Sequence, residues 1–213
     1  MRLVPADSID FDLLLRLFNE AYSDYLVPMQ LDRAGLEYTI DVCDIDPAAS
    51  RIALAGDEPA AFAFLAVRGD EGWIGGMGTA PAHRRRGLGE AALTAVIDEA
   101  GRRGARSVLL EVIEGNAPAI ALYGKLGFER TRDLIVWVHD GEARTTDGLP
   151  DVPESEAHAW IAAHRPSAEP WQRADESLAR ELDQGLTRNG LVCERDGETV
   201  AALLWRPRRD GGP

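Results

Sequence analysis

The sequence predicts a mixed α/β fold in which a single sheet combines antiparallel hairpins with one parallel crossover. Apolar runs separated by short Gly- and Asp-containing turns recur between residues 51 and 79, which is typical of hairpins. A helix with a regular apolar face follows at 87–103, and an apolar strand-like run comes after it at 107–113. The order strand, helix, strand favours a parallel crossover within the same sheet.

The N-terminal part predicts a short strand and then two helices. Asp7 or Ser8 can cap the first helix, whose apolar residues recur at helical spacing between positions 11 and 25. The dipeptide Val27-Pro28 ends this helix, because proline does not continue a helix. Apolar residues between positions 36 and 43 share one side of the second helix.

Three strands follow, and tight turns join them. Residues 51–55 and 60–67 flank the turn at 56–59, and residues 73–79 form the third strand. The third strand contains three glycines, which weaken a strand and often mark a bulge or a close approach by ligand or backbone.

The rest of the first 139 residues predicts the crossover and its continuation. The run at 107–113 is almost continuously apolar, as expected for a central buried strand. A short helix at 116–126 and a closing strand at 128–138 complete the predicted sheet.

A second, smaller region is expected after a polar linker. Residues 140–153 are rich in Asp, Glu, Gly, Pro and Thr. Helices are predicted at 154–164 and 174–186, and a hairpin is predicted within 191–205. The helix, helix, hairpin order repeats that of the beginning, which indicates a partial second copy or a coincidence between two common hairpins. The expected regions are a main domain at 1–139, a linker at 140–153 and an accessory segment at 154–213.

The amino-acid composition limits the classes of protein to which the chain can belong. Apolar residues make up 45% of the chain, enough for a buried core, and the formal net charge is −13. Nucleic acid is therefore not an expected partner, whereas a cationic amine would be attracted; the charge can equally serve solubility alone. Cys43 and Cys193 form no disulfide framework or metal-binding spacing. We therefore expect no metal site. No apolar run is long enough to cross a membrane, and the N-terminus lacks the apolar core of a signal peptide, so we expect a cytoplasmic protein.

The stretch 79–89 joins the glycine-bearing strand to a helix and predicts an anion site. Amide N–H groups at a helix start, together with the helix dipole, bind anions. Gly87 and Gly89 would let a phosphate approach the backbone, and three adjacent arginines at 84–86 add positive charge. Taken alone, the stretch is also typical of a solvated charge run before a helix.

Two further residues suit acyl transfer to an amine. Glu111 lies in an otherwise apolar run, and Tyr123 lies on the following predicted helix. A base must remove a proton from the amine and an acid must protonate the leaving thiolate, roles that a carboxylate and a phenol can take. The alternative is that Glu111 faces solvent at an edge and Tyr123 packs in the core.

Together these motifs resemble the GNAT superfamily of N-acetyltransferases over residues 1–138. The pattern Arg84-x-x-Gly87-x-Gly89, preceded by Pro81, is similar to the pyrophosphate-binding motif of that family. The residues similar to its second motif are Asn116, Ala119, Leu122, Tyr123, Gly127 and Phe128.

The resemblance implies a sheet splayed between strands 73–79 and 107–113, with the pantetheine arm of acetyl-CoA in the gap. It implies Tyr123 as general acid and Glu111 as base, with Glu114 or a water chain as alternatives for the base. The cofactor-binding residues that it implies are Met77, Gly78, Thr79, Arg84, Arg85, Arg86, Gly87, Leu88, Gly89, Glu90 and Asn116.

The chain departs from the family pattern at two points. Thr79 replaces a more usual aliphatic residue, which should leave backbone bonding undisturbed. After Phe128 one long strand is predicted where many members have two, so the other strand would come from the tail or from a second subunit. The loop at 23–30 would line the acceptor pocket, with Asp24 as a candidate partner for an ammonium group.

These observations predict an N-acetyltransferase in which an amine attacks acetyl-CoA directly within a ternary complex. The acceptor would be a small amine or a peptide N-terminus. The alternative is a catalytically silent acyl-CoA-binding or sensing module, which would need neither Glu111 nor Tyr123. The apolar hairpin of segment 154–213 would leave an open sheet edge, so we expect docking on the first domain or on a second chain, as in a homodimer.

Overall fold

The structure, a computed structural model, describes residues 1–135, 149–165 and 169–205. The chain divides into two compact units, Met1–Thr131 and Arg132–Pro213. None of the helices within the described ranges is long and apolar enough to cross a membrane.

The first unit is built on a five-stranded mixed sheet, as the sequence predicts. Its strands lie in the order β1-β2-β3-β4-β5, and all neighbours are antiparallel except the parallel pair β4 and β5. The elements are β1 (Arg2–Pro5), α1 (Phe11–Ala21), α2 (Arg33–Val42), β2 (Arg51–Ala55), β3 (Glu58–Arg68), β4 (Glu71–Thr79), α3 (Leu88–Arg102), β5 (Ser107–Leu109) and α4 (Ala117–Lys125).

The core lies on both faces of strand β3. Because side chains alternate along a strand, Ala61, Ala63 and Leu65 share the face that packs with α3. Phe62 points to the opposite face, where its ring lies 5.6 Å from the ring of Phe18 on α1. Burial on both faces explains why this strand is continuously apolar instead of alternating.

The cap of helix α1 differs from the prediction. Asp10, and not Asp7 or Ser8, is the N-cap residue, and its carboxylate accepts hydrogen bonds from the amides of Asp12 (2.9 Å) and Leu13 (3.3 Å). A short 3-10 turn, Ala6–Ser8, occupies the positions that the sequence assigned to the cap. The helix therefore starts at the next residue that can accept from free amides.

The prediction of a long central strand at 107–113 is wrong, because β5 ends at Leu109. Within the described residues β5 pairs with β4 alone, and Ser107 is exposed, so β5 is an edge strand. The strand predicted at 128–138 is not formed over residues 128–135, and 136–138 lie outside the described residues. Residues 129–133 are all polar and offer no apolar face that would pack as part of a sheet.

The second unit contains both predicted helices and the predicted hairpin. Its described elements are β6 (Asp151–Val152), α5 (Glu154–His164), α6 (Asp175–Asp183), β7 (Asn189–Arg195) and β8 (Glu198–Trp205). They form a three-stranded antiparallel sheet in the order β6-β7-β8. Strand β6 lies within the segment predicted as a linker at 140–153, of which residues 140–148 lie outside the described residues.

The two units share one order of elements. In the first, a strand, two helices and a hairpin (β1-α1-α2-β2-β3) form three sheet positions in the order β1-β2-β3. In the second, β6-α5-α6-β7-β8 form a sheet in the corresponding order β6-β7-β8, again fully antiparallel.

Candidate active site

Strands β4 and β5 diverge and leave a gap in the sheet. They pair only where residues 71–73 meet Ser107–Leu109, and among the described residues β4 continues to Thr79 paired with β3 alone. The register on β3 shifts so that Gly75 is an extra, bulged residue on β4. A Cβ at Gly75 would lie 2.5 Å from the Trp73 ring, so the bulge requires glycine. The predicted splaying of the sheet is confirmed, and one edge of β4 is open to a ligand.

A concave turn of backbone lies between the end of β4 and helix α3. Arg85 (φ 60°) and Gly87 (φ 78°) both adopt the left-handed conformation. Left-handed residues in such a turn direct successive N–H groups into one concavity, which binds anions. Gly87 is the N-cap of α3 and offers no side-chain acceptor, and the first helical bond runs from the Ala91 amide to the Gly87 carbonyl (2.9 Å). The first-turn amides are thus available to an anionic ligand.

Gly89 has a different role from Gly87. A Cβ added at Gly89 would lie 2.7 Å from Thr79 Oγ1 and 3.5 Å from Met77 Cε, so glycine here lets the first turn of α3 pack on β4. At Gly87 no heavy atom of the described residues would contact the added Cβ, and glycine is required by the backbone conformation. Sequence reasoning assigned both glycines to phosphate approach and missed the packing role.

The three arginines of the turn are not equivalent. Arg84 donates to both carboxylate oxygens of Asp24 at 2.7 and 2.6 Å, and also to the carbonyls of Thr79 (3.1 Å) and Ala21 (3.2 Å). The hydrogen bond from Arg84 lowers the pKa of Asp24. Asp24, expected to hold an ammonium group, is therefore engaged with Arg84 instead. Arg85 and Arg86 are exposed beside the turn.

Glu111 lies just beyond β5 and not within a strand as predicted. The indole Nε1 of Trp73 donates to Glu111 Oε2 at 2.8 Å, and Trp73 is buried. Trp73 is the last β4 residue that pairs with β5. This hydrogen bond therefore holds the carboxylate at the point where the two strands begin to diverge.

Three phenols gather beside the open edge of β4. Burial raises the pKa of Tyr123, on α4, from 10.0 to about 12, with Tyr25 as a smaller contributor. Burial also raises the pKa of Tyr22, with Tyr123 and Tyr25 contributing. The Tyr22 hydroxyl donates to the Met77 carbonyl at 3.2 Å, and its ring meets Tyr25 edge to face at 5.0 Å. Tyr22 and Tyr25 were predicted only as part of the apolar face of the first helix.

The remaining predicted residues have local contacts of their own. Asn116 caps α4 by accepting from the Ala119 amide at 3.3 Å, and Leu88 is buried in the core. Glu90, in the first turn of α3, pairs with Lys125 at 2.6 Å. Lys125 was not among the predicted site residues, and no local pattern connects it with a partner 35 positions away.

The chain is similar to proteins of one known family. The model of the "Acetyltransferase (GNAT) family" matches residues 11–128, more than half of the chain. The chain is 40% identical over 93 residues to the [Ribosomal protein bS18]-alanine N-acetyltransferase of Escherichia coli (strain K12), an alignment covering 44% of this chain and 60% of that protein. It is also 32% identical over 120 residues to the mycothiol acetyltransferase of Clavibacter michiganensis subsp. michiganensis, covering 56% of this chain and 39% of that protein.

Solved structures agree at the level of the fold. The crystal structure of the ribosomal-protein-S18-alanine N-acetyltransferase from Escherichia coli superposes with a TM-score of 0.53 and 27% identity, covering 62% of this chain and 79% of that chain. The chain therefore spans 60% of the length of the first curated relatives that it matches, and somewhat more of the solved one.

Proposed function

Because the chain belongs to the acetyltransferase (GNAT) family, we propose that it transfers an acetyl group from acetyl-CoA to a primary amine. The amine would attack directly within one ternary complex. The proposal rests on the divergence of β4 from β5 beside the concave turn that begins α3. An open strand edge next to an anion site suits a ligand that has both amides and a diphosphate.

The proposed coenzyme site follows β4 into α3. Residues 77–79 have an edge that no described strand occupies. The carbonyls of Met77 and Thr79 accept hydrogen bonds from Tyr22 and Arg84, so we propose that the backbone N–H groups of this edge bind the pantetheine arm. The concave turn and first helical turn at 85–90 would hold the diphosphate, with Arg84 at their start and Asn116 beside the arm. When bound, acetyl-CoA supplies the thioester carbon that the amine attacks.

Tyr123 is the proposed general acid. A phenol with the ordinary pKa of 10.0 is already protonated at neutral pH, and burial raises the pKa of Tyr123 further, to about 12, so the group is present in the form that donates. A proton delivered to the sulfur as the carbon–sulfur bond breaks would let coenzyme A leave as the neutral thiol. Tyr123 lies within the phenol cluster beside the open edge of β4, which supports this role.

Glu111 is the proposed base. The Trp73 indole fixes one carboxylate oxygen where the strands separate, which gives the base a defined position. A carboxylate there would remove the proton that the amine must lose, directly or through water. Glu114 is the alternative base on the same loop, and both glutamates are exposed.

The proposed acceptor is a small amine or a peptide N-terminus. Two kinds of relative support this range: one is named for acetylating an alanine of a ribosomal protein, the other for mycothiol. The net charge of −13 favours a cationic acceptor.

A panel of amines tests the proposal. The full chain would be incubated with acetyl-CoA and an alanine-initiated peptide, small primary amines or an aminoglycoside, and release of the coenzyme A thiol would be followed. We expect turnover on at least one amine class. Tight binding of acetyl-CoA by calorimetry, without turnover on any amine, would instead support a silent binding or sensing module.

We further propose that residues 154–213, with β6, form a partial second copy of the same fold. The shared order of strands and helices in the two units supports this proposal. Among the described residues, the second unit contains no counterpart of β4 and α3. Its sheet ends at β8, whose outer edge no described strand covers, and we propose that this edge supports a homodimer.

A further inference from the structure

We propose that Arg84 and Asp24 form a clamp that transmits coenzyme binding to the acceptor-side loop at 22–32, making both residues positioning residues. This inference rests on the proposed function, because it assigns the turn at 85–90 to the coenzyme and the loop to the acceptor. It goes beyond that function by predicting that the two ligands bind cooperatively.

The Arg84 side chain connects segments of the chain that are distant in sequence. Its guanidinium meets the Asp24 carboxylate with two parallel hydrogen bonds, at 2.7 and 2.6 Å. The same group donates to the last residue of α1, Ala21, and to the last residue of β4, Thr79. An exposed ion pair alone contributes little, but a bidentate fork with two carbonyl acceptors fixes orientation, which lysine cannot reproduce.

The loop is also fastened at its far end. Asn19 on α1 donates to the Leu31 carbonyl (2.8 Å) and accepts from the Leu31 amide (2.9 Å). These bonds close the loop onto its own helix. The Arg84 fork adds a link to the turn that follows β4, so the loop has one anchor on α1 and another on the proposed coenzyme turn.

The clamped loop carries groups that face the proposed reaction site. Tyr25 lies within it, edge to face with Tyr22 and close enough to Tyr123 to affect its ionisation. Leu26 approaches the β5–α4 loop, since a Cβ added at Gly115 would lie 3.3 Å from its Cδ1. The position of this loop therefore shapes the space beside Tyr123.

The position of Arg84 in the sequence explains how coenzyme binding would affect the loop. Arg84 directly precedes Arg85, the first left-handed residue of the concave turn. An anion held by the amides of that turn would restrict its backbone, and the restriction would pass through the Arg84 fork to Asp24. Ordering a segment once for two ligands makes their binding cooperative.

Limited proteolysis of the full chain tests the clamp without requiring turnover. Chymotrypsin can cleave the loop after Tyr25 or Leu26, and cleavage would be followed with and without coenzyme A. We expect coenzyme A to slow this cleavage about fivefold in the wild type, a modest coupling. In Asp24→Asn we expect faster cleavage than in the wild type and little protection by coenzyme A. By reciprocity, the dissociation constant for coenzyme A in Asp24→Asn should rise by no more than about the same fivefold, because the turn itself is unchanged.

Companion variants separate the clamp from a general loss of structure. Arg84→Lys keeps the charge but loses the fork, so it should resemble Asp24→Asn, whereas Asp24→Glu should restore part of the protection. Asp57→Asn is the matched control, since Asp57 pairs with Arg2 on the surface far from the loop in sequence. With an alanine-initiated peptide as acceptor, Asp24→Asn should raise KM about fivefold with kcat nearly unchanged.

Each result has a distinct meaning. Equal cleavage of Asp24→Asn and the wild type without coenzyme A overturns the clamp. Equal protection by coenzyme A in both overturns the coupling. Absence of coenzyme A binding to the wild type instead overturns the proposed coenzyme site, and the comparison without coenzyme still decides the clamp.

Discussion

Gly89 and Thr79 pack against each other where helix α3 meets the end of strand β4, since a Cβ added at Gly89 would lie 2.7 Å from Thr79 Oγ1. We therefore expect Gly89→Ala to push the first turn of α3 away from the strand. Such overpacking typically costs about 1–3 kcal/mol, more than the helix propensity of alanine returns. Thermal unfolding should show a lower Tm, and calorimetry should show weaker coenzyme A binding.

Two variants control this prediction. Gly101→Ala lies on the same helix, where the added Cβ would contact none of the described residues, and it should raise the Tm. Gly89→Ala combined with Thr79→Ala removes the obstructing oxygen and should recover most of the loss. If Gly89→Ala proves as stable and binds as well as Gly101→Ala, the two elements do not pack as described.

The glycine-bearing strand shows what sequence alone establishes. Three glycines in 73–79 predicted a bulge or a close approach, and Gly75 forms a bulge, while at Gly78 an added Cβ would lie 2.7 Å from the Ala21 side chain, a close approach by helix α1. The sequence can predict such outcomes because the missing Cβ of a glycine acts at the position of that glycine itself. The extent of β5 was not predictable in this way, since residues 107–113 form one nearly continuous apolar run but pairing with β4 ends at Leu109.

Neither the Arg84–Asp24 clamp nor the cluster of three phenols could be predicted from the sequence, because their members are far apart along the chain. Asp24 and Arg84 are 60 positions apart, and only the folded sheet brings α1 to the end of β4. The sequence placed Arg84 in an anion site and Asp24 beside an ammonium group, both reasonable for isolated charges. Which opposite charge each one meets is decided by tertiary packing.

Tyr123→Phe tests the proposed general acid. Removing the hydroxyl should lower kcat by about 10²–10⁴-fold, the usual contribution of a positioned proton donor. Acetyl-CoA binding should persist, because the coenzyme turn is on other elements. Tyr38→Phe on α2 is the matched control and should keep full turnover. Unchanged turnover in Tyr123→Phe would remove this phenol from the mechanism.

The raised pKa of Tyr123 also makes a prediction about stability. The folded state holds the phenol proton up to about pH 12, whereas the unfolded state releases it near the ordinary value of 10.0. This contribution to stability is complete below pH 10 and is lost as the pH rises towards 12. Urea unfolding at stepped pH should thus show a shallower alkaline loss in Tyr123→Phe than in the wild type. Ultraviolet absorbance should show one fewer late-titrating phenol, and identical profiles would contradict burial of this group.

Glu111→Gln tests the proposed base against Glu114. The amide keeps the shape and can still accept from the Trp73 indole, but it cannot take a proton. We expect kcat/KM at neutral pH to fall about 100-fold, and Glu114→Gln to retain most activity. Trp73→Phe should give an intermediate loss by removing the indole hydrogen bond to the carboxylate. If Glu114→Gln loses more activity than Glu111→Gln, the roles of the two carboxylates are exchanged.

Strand β8 provides the last prediction, which concerns association. Val200, Leu203 and Trp205 are 46%, 54% and 41% exposed, and within the described residues β8 pairs only with β7. Beyond Glu198 at its start, β8 carries no charged residue, and an apolar edge of this kind pairs readily with another strand, so the full chain should dimerise in light scattering across a concentration series. Leu203→Lys should give monomers, because a lysine on the edge would be desolvated in the pair. Leu182→Lys on α6, a residue that is 46% exposed and not part of the sheet, should leave the dimer intact. A monomeric wild type at all concentrations would mean that the edge is covered in another way.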